Sequence, residues 1–332
     1  MLNSISVDIT NHCNLKCLHC VRDKLMPRRH LNLNIIKILL KKISNIGIRS
    51  VCFTGGEPAL HPQLDKIIDL LCEYKRNFNL VSNGYFFIEK ILPLLDAKAR
   101  KLFTGVCFSL DGAGPASHDL IRGKGSYDLV IRSIKAARNK SIAVSVKTIL
   151  HKQNLNELFE TAYLCASAGV AELGYIVLTP SPGLLKSGLI PSPEEISEAI
   201  TYVKDKLMPS FRMKINIEGY SSGKLRMSLC NPAYGLSLDH LGNFIFCCNL
   251  SHPSAGNAPD KMGKEYLGNI MTDDLDDIIY RHYKLLAWFT EQMMNKKSGS
   301  LAAHSGNCLD CYNLFDKMKW MKKNDSPYNR NH

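Results

Sequence analysis

The feature that most constrains the fold is a regular alternation of strand-like and helix-like segments in the first half of the chain. Residues 5–9, 49–53, 79–81, 106–110, 144–150 and 172–178 are predicted strands. Between them, residues 33–46, 63–74, 88–95, 127–138 and 155–168 have helical periodicity. This alternation predicts repeated βαβ units around a parallel sheet. Six such units are too few for a closed barrel, so we expect an α/β fold built as a partial (β/α)6 barrel.

The pattern changes after the sixth predicted strand. Four prolines fall within residues 179–193, and a helix is predicted to begin at Ser192 and Pro193. From residue 219 the sequence is rich in cysteine and glycine, with one predicted strand (243–247) and one predicted helix (274–294). We therefore expect a barrel domain over residues 1–180, a linker and helix over 181–218, and a small Cys-rich domain over 219–332.

Composition narrows the class of protein. Hydrophobic residues make up 45% of the chain and charged residues 22%, which is typical of a globular protein. No apolar run is long enough to cross a bilayer, and the first residues do not resemble a secretion signal, so we expect a cytoplasmic protein without a membrane partner. The net charge of +12 is spread along the chain, which favours a basic surface over a nucleic-acid partner.

Twelve cysteines in a cytoplasmic chain indicate metal or cluster ligation rather than disulfides. Cys13, Cys17 and Cys20 directly follow the first predicted strand, where a βα sheet places its ligands. A [4Fe–4S] cluster usually takes four thiolates, so a set of three leaves one iron open to another ligand. A zinc site is the alternative, because His12 and His19 can supply the missing ligand. Cys52, Cys72, Cys107 and Cys165 are isolated in apolar surroundings, and we interpret them as small buried side chains.

Further motifs follow the next three strands. They are Gly55-Gly56-Glu57-Pro58 after the second strand, Ser82-Asn83 after the third, Ser109 and Asp111 at the end of the fourth, and Arg122 beyond it. Glycines let the backbone approach a ligand closely, a glutamate accepts from a cationic amino group, and an arginine suits a carboxylate. Because the carboxyl ends of parallel strands meet at one edge, these motifs predict one site together with the three cysteines.

The C-x3-C-x2-C spacing with these motifs resembles the radical S-adenosylmethionine (SAM) superfamily. The resemblance implies that Cys13, Cys17 and Cys20 bind a [4Fe–4S] cluster that cleaves SAM to methionine and a 5′-deoxyadenosyl radical, which abstracts a substrate hydrogen. It also implies that SAM is bound by His19, Gly55, Gly56, Glu57, Pro58, Ser82, Asn83, Ser109, Asp111 and Arg122. His19 departs from the family pattern, in which an aromatic residue at this position stacks on adenine; we expect the imidazole to stack there instead.

A second cysteine set resembles the C-terminal extension called SPASM or, in its shorter form, twitch. The resemblance implies that Cys230, Cys247, Cys308 and Cys311 hold one auxiliary [4Fe–4S] cluster. A zinc ribbon built from the same four residues is the alternative. Cys248 is left over, and three roles stay open for it: an alternate ligand, a catalytic thiol that returns a hydrogen atom to a substrate radical, or a buried neighbour.

The leading prediction is oxidation, crosslinking or epimerisation of a ribosomally made peptide. The alternatives are a small-molecule substrate, such as a sugar, an aminocyclitol or a haem precursor, and a non-catalytic zinc-ribbon protein that binds RNA. An enzyme of this kind needs a reductase or flavodoxin-type electron donor. Since the first strand begins by residue 5, we expect a peptide to dock on the barrel or on a separate leader-peptide-binding protein. We expect the substrate to contact side chains of the barrel strands, such as Lys147 or Tyr175, or side chains of the second domain; these residues form no recognisable motif.

Overall fold

A computed structural model describes residues 2–20, 27–177, 179, 182–219, 231–250, 263–295 and 307–317. The strands within these residues are β1 Ser4–Thr10, β2 Ser50–Gly55, β3 Asn77–Ser82, β4 Phe103–Ser109, β5 Val144–Ile149, β6 Glu172–Ile176, β7 Lys214–Glu218, β8 Gly235–Leu238, β9 Asn243–Ile245 and β10 Tyr266–Asn269. The helices are α1 Leu33–Ser44, α2 Leu64–Glu73, α3 Ala97–Leu102, α4 Pro115–Arg122, α5 Ser126–Asn139, α6 Leu158–Ser167, α7 Pro182–Ser187, α8 Pro193–Tyr202, α9 Met208–Ser210, α10 Leu275–Asn295 and α11 Asn307–Leu314.

All the described strands belong to one sheet, in the order β10-β9-β8-β1-β2-β3-β4-β5-β6-β7. Strands β1 to β7 pair in parallel with their neighbours, and β8 is parallel to β1 on the other side. Strands β9 and β10 pair antiparallel. The six predicted strands are all present, and the α/β partial barrel predicted from their alternation is confirmed. Strand β7 adds a seventh parallel strand, and β8 to β10 continue the same sheet.

Alternation along each strand separates the two faces of the sheet. Val7, Phe53, Leu80 and Val146 are fully or almost fully buried and belong to one hydrophobic core with the surrounding helices. Their neighbours along the strands are smaller or polar and lie on the opposite, concave face. We therefore expect a substrate to bind on the polar face, beside the carboxyl ends of the strands.

Local sequence explains the main helix boundaries. Asn32 caps α1 by accepting from the backbone of Asn34 at 2.8 Å. Helix α8 begins at Pro193, as predicted, with a reciprocal capping box between Ser192 and Glu195. The predicted helix over 88–95 is instead a π-helical turn, Phe87–Ile91, followed by a 3-10 turn, Leu92–Leu94, because Pro93 lacks the amide that an α-helix needs.

Helices α3 and α4 and strand β7 were not predicted. Each is short. Helix α4 has only eight residues, too few for its apolar positions to show a helical periodicity. None of the helices in the described ranges is long and apolar enough to cross a membrane.

Candidate active site

The three cysteines lie in one tight loop that follows β1. The backbone amide of Cys20 donates to the Cys17 carbonyl at 3.2 Å, and the amide of Leu15 donates to the Cys13 sulfur at 3.5 Å. Cys17 is 7% exposed, whereas Cys13 and Cys20 are half-buried. Burial raises the pKa of the Cys13 thiol to about 11, with Glu57 and the two other cysteines adding to the effect. A buried thiol such as that of Cys13 needs a positive centre beside it to become a thiolate.

The glycines after β2 pack against the cysteine loop itself. Gly56 donates its amide to the Thr10 carbonyl at 2.6 Å, and Glu57 donates to the His12 carbonyl at 2.8 Å. A Cβ atom at Gly56 would overlap the carbonyl of His12. Glycine at position 56 therefore lets the backbone after β2 pack closely against the residues just before Cys13. Direct contact of Gly55, Gly56 and Pro58 with SAM stays a prediction.

Glu57 connects the ends of β2 and β3. Its carboxylate is fully buried and accepts from the Ser82 hydroxyl at 2.9 Å, from the Asn83 amide at 2.8 Å and from the Ala59 amide at 3.2 Å. Burial raises the pKa of Glu57 to about 7, although these three hydrogen bonds oppose the shift. In the structure Glu57 positions Ser82 and Asn83; that it also binds the amino group of SAM stays a prediction.

Asn83 contacts both Glu57 and the first cysteine. Its side-chain amide donates to the Cys13 sulfur at 3.7 Å and to Asn14 Oδ1 at 3.0 Å. Its own Oδ1 accepts from the amide of Tyr85 at 2.9 Å, which holds the side chain in place. The motif after β3 is thus in direct contact with the cysteine loop, and Asn14 is a contact that the sequence did not indicate.

A buried ion pair reaches the second cysteine from the other side. Arg122 Nε lies 2.6 Å from Asp111 Oδ2, and Arg122 Nη1 donates to the Cys17 sulfur at 3.9 Å. His19 Nδ1 lies 3.8 Å from the same Asp111 oxygen. Burial works against ionisation of Asp111, but Arg122, His19, His118 and the Ile149 amide together outweigh it, so that the pKa of Asp111 falls to about 2. A connected set of side chains therefore lies beside the cysteine loop: Arg122 contacts both Asp111 and the Cys17 sulfur, and His19 lies close to Asp111. These residues were predicted to share one site.

The donor set fits an iron–sulfur cluster. Each of two cysteine sulfurs already has a donor aimed at it, Asn83 at Cys13 and Arg122 at Cys17, and a cluster held by three thiolates is an anion that such donors stabilise.

The concave face beside this site carries a charged network that the sequence analysis missed, apart from Lys147. Lys147 on β5 forms an ion pair with Glu218 on β7, and its Nζ lies 3.7 Å from Glu172 Oε1 on β6. Glu172 also accepts from Asn216 at 2.6 Å and from Lys214 at 3.0 Å. One sequence feature could have predicted strand β7: polar and apolar residues alternate in Lys214–Glu218, as in a strand with one polar face.

Tyr175 was predicted to face the substrate, and this prediction is wrong. Its side chain is fully buried, and its hydroxyl donates to the Leu158 carbonyl at 2.6 Å. The strand register explains the error. Lys147 pairs with Gly174 and so shares its face, whereas Tyr175 pairs with Thr148 on the face that packs against the helices.

The second cysteine set is described in part. Cys230 lies outside the described residues, so its role stays a prediction. Burial raises the pKa of Tyr312, and the nearby sulfurs of Cys308, Cys247, Cys311 and Cys248 add to the effect. The side chains of Cys247 and Cys248 are hydrogen-bonded to each other, which is the main reason that the pKa of Cys247 is raised. The structure thus brings Cys247, which follows β9, and the two predicted ligands on α11 into one region, with Cys248 among them.

Comparison with known proteins identifies the barrel half. Residues 7–165 match the sequence profile described as the radical SAM superfamily, and this range contains the three cysteines and every motif in contact with them. This part of the chain, residues 7–165, belongs to the radical SAM superfamily. Members of that family use SAM and a [4Fe–4S] cluster, in agreement with the donor set found here.

Two curated relatives of this radical SAM chain illustrate the range of the family. The chain is 28% identical over 171 residues to the antilisterial bacteriocin subtilosin biosynthesis protein AlbA of Bacillus subtilis, a match that covers 51% of the chain and 38% of AlbA. It is 26% identical over 180 residues to an AdoMet-dependent heme synthase of Methanosarcina barkeri, which covers 53% of the chain and 51% of the synthase. The chain therefore spans about half, or less, of these relatives' own lengths.

Among solved structures, the radical SAM fold of this chain resembles Streptococcus suis SuiB bound to the precursor peptide SuiA. The TM-score is 0.67 at 14% identity, covering 93% of this chain and 70% of SuiB. Similarity at this level of identity concerns the fold. It extends beyond the profile match and supports the partial-barrel architecture across the described chain.

Proposed function

We propose that this protein cleaves SAM reductively and uses the resulting radical to modify a ribosomally made peptide by oxidation, crosslinking or epimerisation. The observation that carries the proposal is the contact of Asn83 with Cys13 and of Arg122 with Cys17. Residues that follow two different strands, β3 and β4, thereby converge on the one loop of thiols that follows β1. That arrangement suits a bound anionic cluster and has no evident purpose in a protein that only binds RNA.

In this proposal Cys13, Cys17 and Cys20 hold the cluster, which supplies the electron for SAM cleavage. The chain's own residues bind and orient SAM beside it. Arg122 and Ser109 hold its carboxylate and ribose, and His19 stacks on its adenine. Glu57 keeps Ser82 and Asn83 in place and is the candidate acceptor for its amino group. The remaining SAM contacts proposed here are Gly55, Gly56, Pro58 and Asp111.

The substrate is proposed to occupy the other half of the barrel mouth. The SAM motifs follow β1 to β4, whereas Lys147, Glu172 and Glu218 lie on β5 to β7. Ser109 pairs with Lys147 across adjacent strands, so the network begins where the SAM site ends. Lys147 is 24% exposed and Glu218 is 36% exposed. Side chains of both charges facing this space suit a substrate with polar groups, as a peptide has.

An auxiliary [4Fe–4S] cluster is proposed for the second cysteine set, with Cys230, Cys247, Cys308 and Cys311 as its ligands. It would accept an electron from the substrate radical in an oxidation. Cys248 is a candidate hydrogen donor in an epimerisation, since its thiol lies beside Cys247. Iron and sulfide analysis after anaerobic reconstitution tests this part: a second cluster doubles the content expected for the barrel site alone.

A peptide substrate is favoured by the names of two similar proteins. AlbA is a bacteriocin biosynthesis protein, and SuiB is seen with a precursor peptide. The similarity to a heme synthase favours a second candidate, a small-molecule substrate such as a haem precursor. We expect a cytoplasmic enzyme that takes its electron from a reductase or flavodoxin-type donor, with a separate leader-peptide-binding protein as the partner that delivers the peptide.

The two candidates are separated by one anaerobic assay. Reduced, reconstituted protein is incubated with SAM and either a synthetic copy of any short precursor peptide encoded beside its gene or a haem precursor. We expect 5′-deoxyadenosine to rise above the substrate-free rate only with the peptide, together with a mass change in the peptide. A rise with the haem precursor alone would select the second candidate.

A further inference from the structure

Arg122 is enclosed between a carboxylate and a cysteine sulfur. Its Nε lies 2.6 Å from Asp111 Oδ2, and its Nη1 lies 3.9 Å from Cys17 Sγ. Arg122 is 8% exposed and Asp111 is fully buried. A cation this well shielded from water acts on its neighbours with little dielectric screening.

The fold holds both members of the pair in place. Arg122 is the last residue of α4, and this end of the helix is attached to the cysteine loop because Leu18 donates its amide to the Ile121 carbonyl at 2.9 Å. Asp111 accepts from the Ile149 amide at 2.9 Å through its other oxygen. The Arg122 guanidinium is therefore held near Cys17 by the attachment of its helix to the cysteine loop and by the anchored carboxylate of Asp111.

A fixed charge at this position has an electrochemical consequence. One-electron reduction of a cluster held by three thiolates adds a negative charge, while no bond forms or breaks in the protein. A cation beside Cys17 stabilises the reduced form and raises the reduction potential, and an anion at the same place lowers it. The electron comes from a flavodoxin-type donor in the cell or from dithionite in a test tube.

We propose that the Arg122–Asp111 pair sets the reduction potential of the cluster through the charge it places at Cys17, independently of SAM. Arg122 is then a positioning and tuning residue in addition to its proposed contact with SAM. The inference rests on the proposed function, since it requires a cluster on Cys13, Cys17 and Cys20.

The test is a redox titration of reconstituted protein followed by electron paramagnetic resonance, without SAM and again with it. The variants are Arg122→Gln, Arg122→Lys and Asp111→Asn. Arg132→Gln, which changes an exposed arginine on α5, is the matched control. Without SAM we expect a more negative midpoint potential for Arg122→Gln, a smaller shift for Arg122→Lys, a more positive midpoint for Asp111→Asn, and no change for the control.

If the role of the pair were purely structural, the midpoint potentials of Arg122→Gln and Asp111→Asn would not shift in opposite directions. Shifts of the same sign, or shifts that occur only with SAM, would overturn the inference. If Arg122→Gln binds too little iron to titrate, the sign of the Asp111→Asn shift decides alone. Failure of the proposed function is a different result: wild-type protein without a cluster would show no signal at all, and a wrong peptide substrate would leave these midpoint potentials unchanged.

Discussion

The carboxylate of Asp111 lies 2.6 Å from Nε of Arg122, and the pair joins the end of β4 to the end of α4 directly behind the cysteine loop. Removing one partner of a buried ion pair leaves the other charge without compensation. We therefore expect Asp111→Ala to lower the free energy of unfolding of the metal-free protein by about 3–5 kcal/mol, measured by urea denaturation. Asp69→Ala, at an exposed position in α2, is the control and should cost less than about 0.5 kcal/mol. Equal losses in the two variants would contradict the structural role of the pair.

Glu57 predicts a specific pH dependence. Burial raises its pKa from 4.5 to about 7, so the fold favours the neutral carboxyl. The stabilisation is fully present below about pH 4.5 and is lost as the pH rises through about 7. Between pH 4.5 and 8, the metal-free wild type should therefore lose on the order of 3 kcal/mol relative to Glu57→Gln. Urea denaturation of both proteins across this range measures the difference. If that difference stays constant with pH, the carboxyl is not buried in the way described.

Gly56 predicts a link between backbone packing and iron binding. A Cβ atom at this position would overlap the His12 carbonyl, one residue before Cys13. Gly56→Ala should therefore cost roughly 1–3 kcal/mol of stability and lower the iron bound on reconstitution, because the cysteine loop must move. Gly114→Ala is the control, since a Cβ there meets no atom within 4 Å. It changes a helix N-cap, so we expect a cost of up to about 1 kcal/mol and unchanged iron content. Iron content that is normal in both variants would contradict the prediction.

The sequence predicted most of the parallel sheet, because strand and helix periodicities differ clearly over segments of ordinary length. It also predicted that the motifs after β1 to β4 share one site, since the carboxyl ends of parallel strands meet at one edge. What it could not predict are contacts between residues far apart in the chain. Lys147 and Glu218 are separated by 71 positions, and their ion pair depends on the register of three strands.

Side-chain direction was a second limit. The residues Gly174 and Tyr175 are adjacent, yet only the register decides which of them shares a face with Lys147. Likewise, Glu57 and Arg122 belong to motifs that the sequence shows, whereas their hydrogen bonds with Asn83 and Cys17 follow from the order and register of the strands. Motif spacing therefore indicates which residues meet, and the fold decides which atom of each one faces its neighbour.

The most direct test of the central claim compares wild-type protein with a variant in which Cys13, Cys17 and Cys20 are all alanine. Both are reconstituted anaerobically, analysed for iron, sulfide and zinc, and then incubated with dithionite and SAM. A variant with Cys72→Ala and Cys165→Ala, which changes two buried cysteines on α2 and α6, is the control. We predict that the triple variant loses about four irons and all formation of 5′-deoxyadenosine, and that the control retains both. Formation of 5′-deoxyadenosine by the triple variant, or a wild type that binds zinc in place of iron, would contradict the account.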